Sequence, residues 1–223
     1  MAGKPDGETA AIIELMESRA NVYRMLSRCY SSEIDGPFAR ELSEEFRFQS
    51  SDDGLTRALD AMRDGLSGLD DAALEMLAVD FDRVFFGMGP LTARHAFPYE
   101  SVYTSDRGIL MQEAYAQVVH AYRDQRLAKD PSFAEPEDHL AVELAFMATL
   151  ADRAAAFLRE SCGEAAEETL SQSLAFAERH LLNWIDRFCI DLDAAAPGFY
   201  GALADFTLGF VRADAQMLGE MLG

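Results

Sequence analysis

Apolar residues recur at helical spacing along nearly all of this chain, and most regularly between Ala134 and Leu158. Leu140, Leu144, Met147, Ala151, Ala154 and Leu158 follow one another at intervals of four and three, which marks one face of an α-helix. Phe146, Leu150 and Phe157 widen that stripe on one flank, while Val142 falls on the far side. Asp138, Asp152, Arg153, Arg159 and Glu160 point away from it, as a solvated face should. The helix is expected to open at Glu135-Pro136, because proline suits the first helical position. Glu137 and Asp138 then place negative charge at the positive end of the helix dipole. His139 and Glu143, one turn apart, lean toward the apolar side near this entrance.

The rest of the chain follows the same period. Ile12, Met16, Tyr23, Leu26 and Tyr30 trace a first helix, after a few polar residues expected to fray. Asp35-Gly36-Pro37 is a turn before a short helix through Leu42 and Phe46. Asp52-Asp53 and Asp70-Asp71 provide helix starts ahead of Leu55, Leu59 and Met62 and ahead of Leu74, Leu77 and Phe81. Ser105 is expected to cap a helix carrying Met111, Ala114, Val118 and Tyr122, and Gly163 to end the long helix. Leu170 to Phe188 reads as one further helix, and Leu203 to Met217 as the last. No segment alternates as a strand would. The expectation is an all-α bundle of about eight or nine helices, one domain over residues 1–223, with an irregular loop near 87–107 and a hinge near 123–136.

Composition narrows the function. With 49% hydrophobic and 26% charged residues, the chain belongs with ordinary soluble globular proteins. No apolar run approaches the roughly 18 residues of a membrane span. The start, Met1 to Thr9, lacks the apolar core of a secretory signal, so the protein is expected to stay in the cytoplasm. Nineteen basic against 39 acidic residues give a formal charge of −20, which repels nucleic acid and anionic lipid and favours cationic partners. Cys29, Cys162 and Cys189 are widely spaced and form no zinc or disulfide pattern.

No assembled active site is visible. Thr92, Gln117, Pro136 and Ala177 stand three residues before the four histidines, so the Glu-x-x-His pairs of a di-iron bundle are missing. There is no nucleophile elbow, and Gly87-Met88-Gly89 is too short for a phosphate loop and is better taken as a helix C-cap and turn. Glu135, Asp138, His139 and Glu143 make a conceivable metal site, which would need ligands from elsewhere. Equally, His139 and Glu143 can serve only to fix local structure by hydrogen bonding. The loop near 87–107 holds His95, Phe97, Tyr99 and Tyr103, and a long loop inside a compact domain is usually functional or disordered. Its aromatic content speaks against disorder.

Glu135-Pro136-Glu137-Asp138-His139, followed by Glu143-Leu144 and Phe146-Met147, resembles the hinge motif of the TorD/DmsD family of molybdoenzyme chaperones. Tyr23 and Tyr30, Phe81, Phe85-Phe86-Gly87, the Pro98-Tyr99-Glu100-Ser101-Val102-Tyr103 loop and the tail with His180, Trp184, Phe199-Tyr200 and Phe210 resemble the same family in order, over essentially the whole chain. Phe81 departs from the pattern, since relatives often carry a tyrosine there. The resemblance implies an all-helical cytoplasmic chaperone, not an enzyme and without a cofactor of its own. Such a protein binds the apo form and the twin-arginine signal peptide of a molybdopterin-containing oxidoreductase, and withholds it from export until its cofactor is inserted.

A physical mechanism fits that implication. Glu100, Glu135, Glu137 and Asp138 would hold the leader's guanidinium groups by charge-assisted hydrogen bonds. Phe81, Phe85, Tyr99 and Tyr103 would line a groove for its apolar segment, with Ser101, His139 and Glu143 alongside and Pro136 at the hinge. Exchange of elements across the two long connections allows a domain-swapped dimer as well as a monomer. Two other classes compete with this one: a metal-dependent helical enzyme using Glu135, Asp138, His139 and Glu143, and a purely structural helical adaptor.

Overall fold

The computed structural model describes residues 7–90 and 92–223, so most of the opening segment expected to fray lies outside it. Its helices are α1 (Gly7–Ser31), α2 (Gly36–Arg40), α3 (Asp53–Leu66), α4 (Asp71–Phe85), α5 (Glu100–Thr104), α6 (Glu113–Asp124), α7 (Leu140–Arg159), α8 (Gly163–Phe176), α9 (Ile185–Ala195) and α10 (Phe199–Leu222). Single π-turns follow α2 (Glu41–Glu45) and α8 (Ala177–Leu181). Among the described residues there is no strand, only one antiparallel bridge between Tyr99 and His139. The all-α expectation holds. Among the described residues the count is ten where eight or nine were expected, because α5 forms inside the irregular loop and the π-turn splits the expected 170–188 helix into α8 and α9.

Local chemistry explains most helix starts. Asp35, Asp52 and Asp70 each accept a hydrogen bond from a first-turn N–H, at 2.8 Å from Phe38, 2.6 Å from Gly54 and 2.9 Å from Ala73. Three expected boundaries move. The helix after the acidic stretch begins at Leu140, with His139 as its cap, while Pro136 only closes a turn whose carbonyl accepts from the His139 N–H at 3.1 Å. Ser105 ends α5 instead of opening α6, which starts at Glu113. Helix α7 stops at Arg159 because Ser161 adopts φ 61°, so Gly163 is left to open α8. Gly87, at φ 69°, ends α4 as the sequence implies. The Met88 N–H returns to the Asp82 carbonyl at 3.2 Å. A Cβ at Gly87 would press on the Phe97 ring at 3.3 Å, so the glycine also sets where the following loop lies.

Helix α1 packs along α7, and α10 packs against α3, α8 and α9. The predicted α7 stripe is buried except for half-buried Leu158. Tyr30 lies edge-on to Phe85 and Phe188, and Tyr23 edge-on to Phe210, so aromatic contacts carry α1 across to α4, α9 and α10. One buried charge network crosses this core. Arg19 on α1 donates to both Asp214 oxygens on α10, at 2.5 and 2.9 Å, and to Ser173 on α8, while Tyr23 Oη donates to Asp214 at 2.6 Å. With every member partnered, the network fixes the register of three helices.

Candidate functional site

Helix α5 begins at Glu100 behind Tyr99, a residue whose side chain makes no capping hydrogen bond to the helix. The cap comes from another part of the chain: Asp138 Oδ2 accepts from the Ser101 N–H at 3.0 Å. Two backbone hydrogen bonds flank it, Glu100 N–H to the Asp138 carbonyl at 2.9 Å and Leu140 N–H to the Pro98 carbonyl at 2.8 Å. Residues 98–101 and 138–140 are thereby clasped together where both long connections reach the bundle. Tyr99 Oη donates to Glu135 Oε2 at 2.5 Å and adds a side-chain tie across the same clasp. Ser101 Oγ accepts from the Gln112 N–H at 3.1 Å, extending the order to the start of α6.

His139 is the cap of α7. Its Nδ1 accepts from the Ala141 N–H at 3.1 Å, which requires an unprotonated Nδ1. Tyr99 and Phe133 meet the ring edge-on, with centroids 5.0 and 5.2 Å away. Burial, aided by the Lys129 charge, lowers its pKa to about 3, so the ring is neutral at physiological pH.

Glu100 is buried and held on both oxygens, by His180 Nδ1 at 3.0 Å and by Asn183 Nδ2 at 2.8 Å. The π-turn Ala177–Leu181 carries this histidine, and its carbonyl accepts from the Trp184 indole at 2.6 Å. Such insertions re-aim side chains that a regular helix would point elsewhere. One turn into α7, Glu143 is fully buried, and neither of its oxygens has a hydrogen-bond partner. Burial, then the neighbouring carboxyl groups of Glu100 and Asp138, push its pKa well above the usual carboxylate range. Asp138 is also raised by burial, against the opposing pull of the Ser101 N–H, and its Oδ1 is without a partner.

The clasp therefore unites Tyr99, Glu100, Ser101, Glu135, Asp138, His139 and Glu143, with Pro136 in the turn that presents Asp138. Tyr103 lies to one side, stacked on Trp184 with its hydroxyl donating to Asp191 at 3.1 Å. Phe81 and Phe85 are not at this surface: both are core residues, with ring centroids 5.0 Å apart. Three members fell outside the sequence-based set. His180 and Asn183 hold Glu100 from about 80 positions away, and Tyr122 Oη donates to the Glu137 carbonyl at 3.1 Å. The available signal was negative: an acidic residue between an aromatic and a serine, buried, needs partners from somewhere.

The metal-enzyme alternative finds no support. Among the described residues, no group of three or more His, Cys, Asp or Glu side chains is placed to hold a metal ion. Of the four proposed ligands, Glu135 faces Tyr99, Asp138 caps α5, His139 Nδ1 caps α7, and Glu143 is a buried acid beside like groups. What the arrangement does chemically is hold residues 98–101 against 138–140 through backbone and side-chain hydrogen bonds.

Comparison with known proteins matches this architecture to one family. Residues 49–190 match the family described as nitrate reductase delta subunit. The chaperone protein TorD of Photobacterium profundum is 33% identical over 218 residues, covering 93% of this chain and 98% of the relative. TorD of Vibrio cholerae is 34% identical, covering 93% and 94%. TorD of Shewanella amazonensis is 32% identical, covering 95% and 97%. With agreement this long, the chain belongs to the TorD/DmsD family of molybdoenzyme maturation chaperones.

Proposed function

We propose that this protein is a cytoplasmic chaperone for the apo catalytic subunit of a molybdopterin-containing oxidoreductase. It binds the subunit and its twin-arginine leader, assists cofactor insertion, and delays export until folding is complete. The observation that carries this reading is the likeness to proteins named chaperone protein TorD over more than nine-tenths of the chain. Among the described residues no helix is long and apolar enough to cross a membrane, which fits a role before export.

In this reading the clasp is a latch rather than a recognition surface. Glu100, Ser101, Asp138, His139 and Glu143 are buried, and a leader reaches them only after the 98–101 and 138–140 segments separate. Glu135 and Glu137 are half-exposed and meet a guanidinium first. The 123–136 connection is the hinge, and opening there serves both client entry and exchange between two copies of a single-domain protein. The test is calorimetric titration with twin-arginine leaders from the protein's own genome and with the matching apo subunit, at two salt concentrations. Micromolar or tighter binding that weakens with salt supports the reading. Binding to neither partner refutes it.

A further inference from the structure

Three buried carboxyl groups meet at the clasp. Glu100 comes from α5, Asp138 from the turn before α7, and Glu143 from the first turn of α7. Their surroundings differ. Glu100 is satisfied on both oxygens, Asp138 on one, and Glu143 on neither. Among the described residues, no lysine or arginine pairs with any of the three.

Every element packed near Glu143 leaves it without a counter-charge. Glu100 and Asp138 add like charge from the clasp side. Tyr122 on α6 gives its hydroxyl proton to the Glu137 carbonyl, and the Trp184 indole donates to the His180 carbonyl. His180 is bonded to Glu100, and His139 accepts from the Ala141 N–H with a neutral ring. The cations of α1, which packs along α7, are engaged elsewhere: Arg19 with Asp214, Arg24 with Asp152 and Arg28 with Asp35. Arg153 binds Gln125, Lys129 stands over the Phe133 ring, and Arg187 donates to the Tyr103 and Asn183 carbonyls. Arg179 and the acids of α8, Glu164, Glu167 and Glu168, are exposed. A carboxylate at this position would have neither donor nor cation, so the closed clasp holds Glu143 as the neutral acid.

Resting on the reading of the clasp as a latch, we infer that Glu143 is its proton lock: the acid is protonated while residues 98–101 lie against 138–140, and gives its proton to water when they part. The Glu143 O–H bond is exchanged for an O–H bond of solvent, and nothing else reacts. Glu100 leaves with α5 and solvent reaches the carboxyl, so the open state ionises as an ordinary glutamate, at about pH 4.3. The lock is therefore complete below that pH and weakens as pH rises. While the closed state keeps its proton, the opening constant grows about tenfold per pH unit. Client entry carries the same sign and is easier in more alkaline solution.

Hydrogen exchange of the full chain, without any client, is the test. The amides of Glu100, Ser101 and Leu140 bond across the clasp, and their exchange, divided by intrinsic rates, gives the opening constant. In wild type the constant should rise about tenfold per unit from pH 5 upward until Glu143 ionises in the closed state, and in Glu143→Gln it should not change with pH. Three results would each overturn the lock: a pH-independent constant in wild type, a rise that survives in Glu143→Gln, or exchange only together with the core amides of α10. Wild type alone decides the first and third, should the variant not fold. Calorimetric titration with the apo client subunit at pH 6, in two buffers of different ionisation heat, then counts protons. Wild type should release about one proton more than Glu143→Gln on binding. Equal proton counts overturn the lock while the chaperone reading stands. Absence of binding removes the chaperone reading and leaves the exchange result to decide the lock.

Discussion

Replacing Glu143 with glutamine isolates a proton-linked component of stability. The side chain is fully buried without a hydrogen-bond partner on either oxygen, and Glu100 and Asp138 add like charge nearby. All three influences disfavour the carboxylate, so the folded protein keeps a proton that the unfolded chain loses near pH 4.3. A group with its folded pKa raised contributes stability that is complete below the unfolded pKa and drains away as pH rises toward the folded one. While the folded state holds one proton more than the unfolded, stability falls by about 1.4 kcal/mol per pH unit from this group alone. Glutamine has nearly the same shape and no titration. The difference in unfolding free energy between wild type and Glu143→Gln, from urea melts at pH 5, 6, 7 and 8, should therefore change by about 1.4 kcal/mol per unit, with wild type losing ground upward until the folded pKa is reached. Parallel curves for the two proteins would refute the assignment of a retained proton. A relative gain by wild type with rising pH would mean that Glu143 is charged and paired.

Three further outcomes follow from the geometry. Asp214→Ala leaves Arg19 buried without its carboxylate and should cost about 3–5 kcal/mol in urea unfolding, whereas Arg19→Met with Asp214→Leu should cost far less. Asp138→Ala removes the cap of α5 and should cost about 1 kcal/mol, with faster amide exchange at Ser101 and Gln112 than at core amides of α7. The His139 ring, with its pKa lowered to about 3, should show constant carbon and proton shifts from pH 5 to 8.

Periodicity made the fold class legible. The α7 stripe, the core positions of α1 and α3, and the aspartate caps at 35, 52 and 70 all depend on neighbours within four residues, which a sequence displays directly. The misplaced boundaries depend on distant partners. Asp138 looked like a charge for the start of its own helix and instead caps α5, 37 positions away. His139 took the capping role expected near Glu135 because its unprotonated nitrogen accepts from Ala141 once the clasp buries the ring. The break between α8 and α9 leaves no glycine or proline; it turns His180 toward Glu100, a contact only the folded chain contains. The two halves of the site were visible as separate motifs, Tyr99–Ser101 and Glu135–Glu143, but nothing local states that they face each other. Phe81 and Phe85, expected to line a groove for the leader's apolar segment, pack against Tyr200 and each other in the core.

The most direct test of the chaperone role is the cofactor content of the client. In a strain deleted for this gene, the client molybdoenzyme should accumulate as apo subunit with little molybdenum. Wild-type protein supplied in trans should restore molybdenum content and activity together, and a chain with Asp138→Ala and His139→Ala should restore them poorly. Full molybdenum occupancy and normal export in the deletion strain would contradict the account.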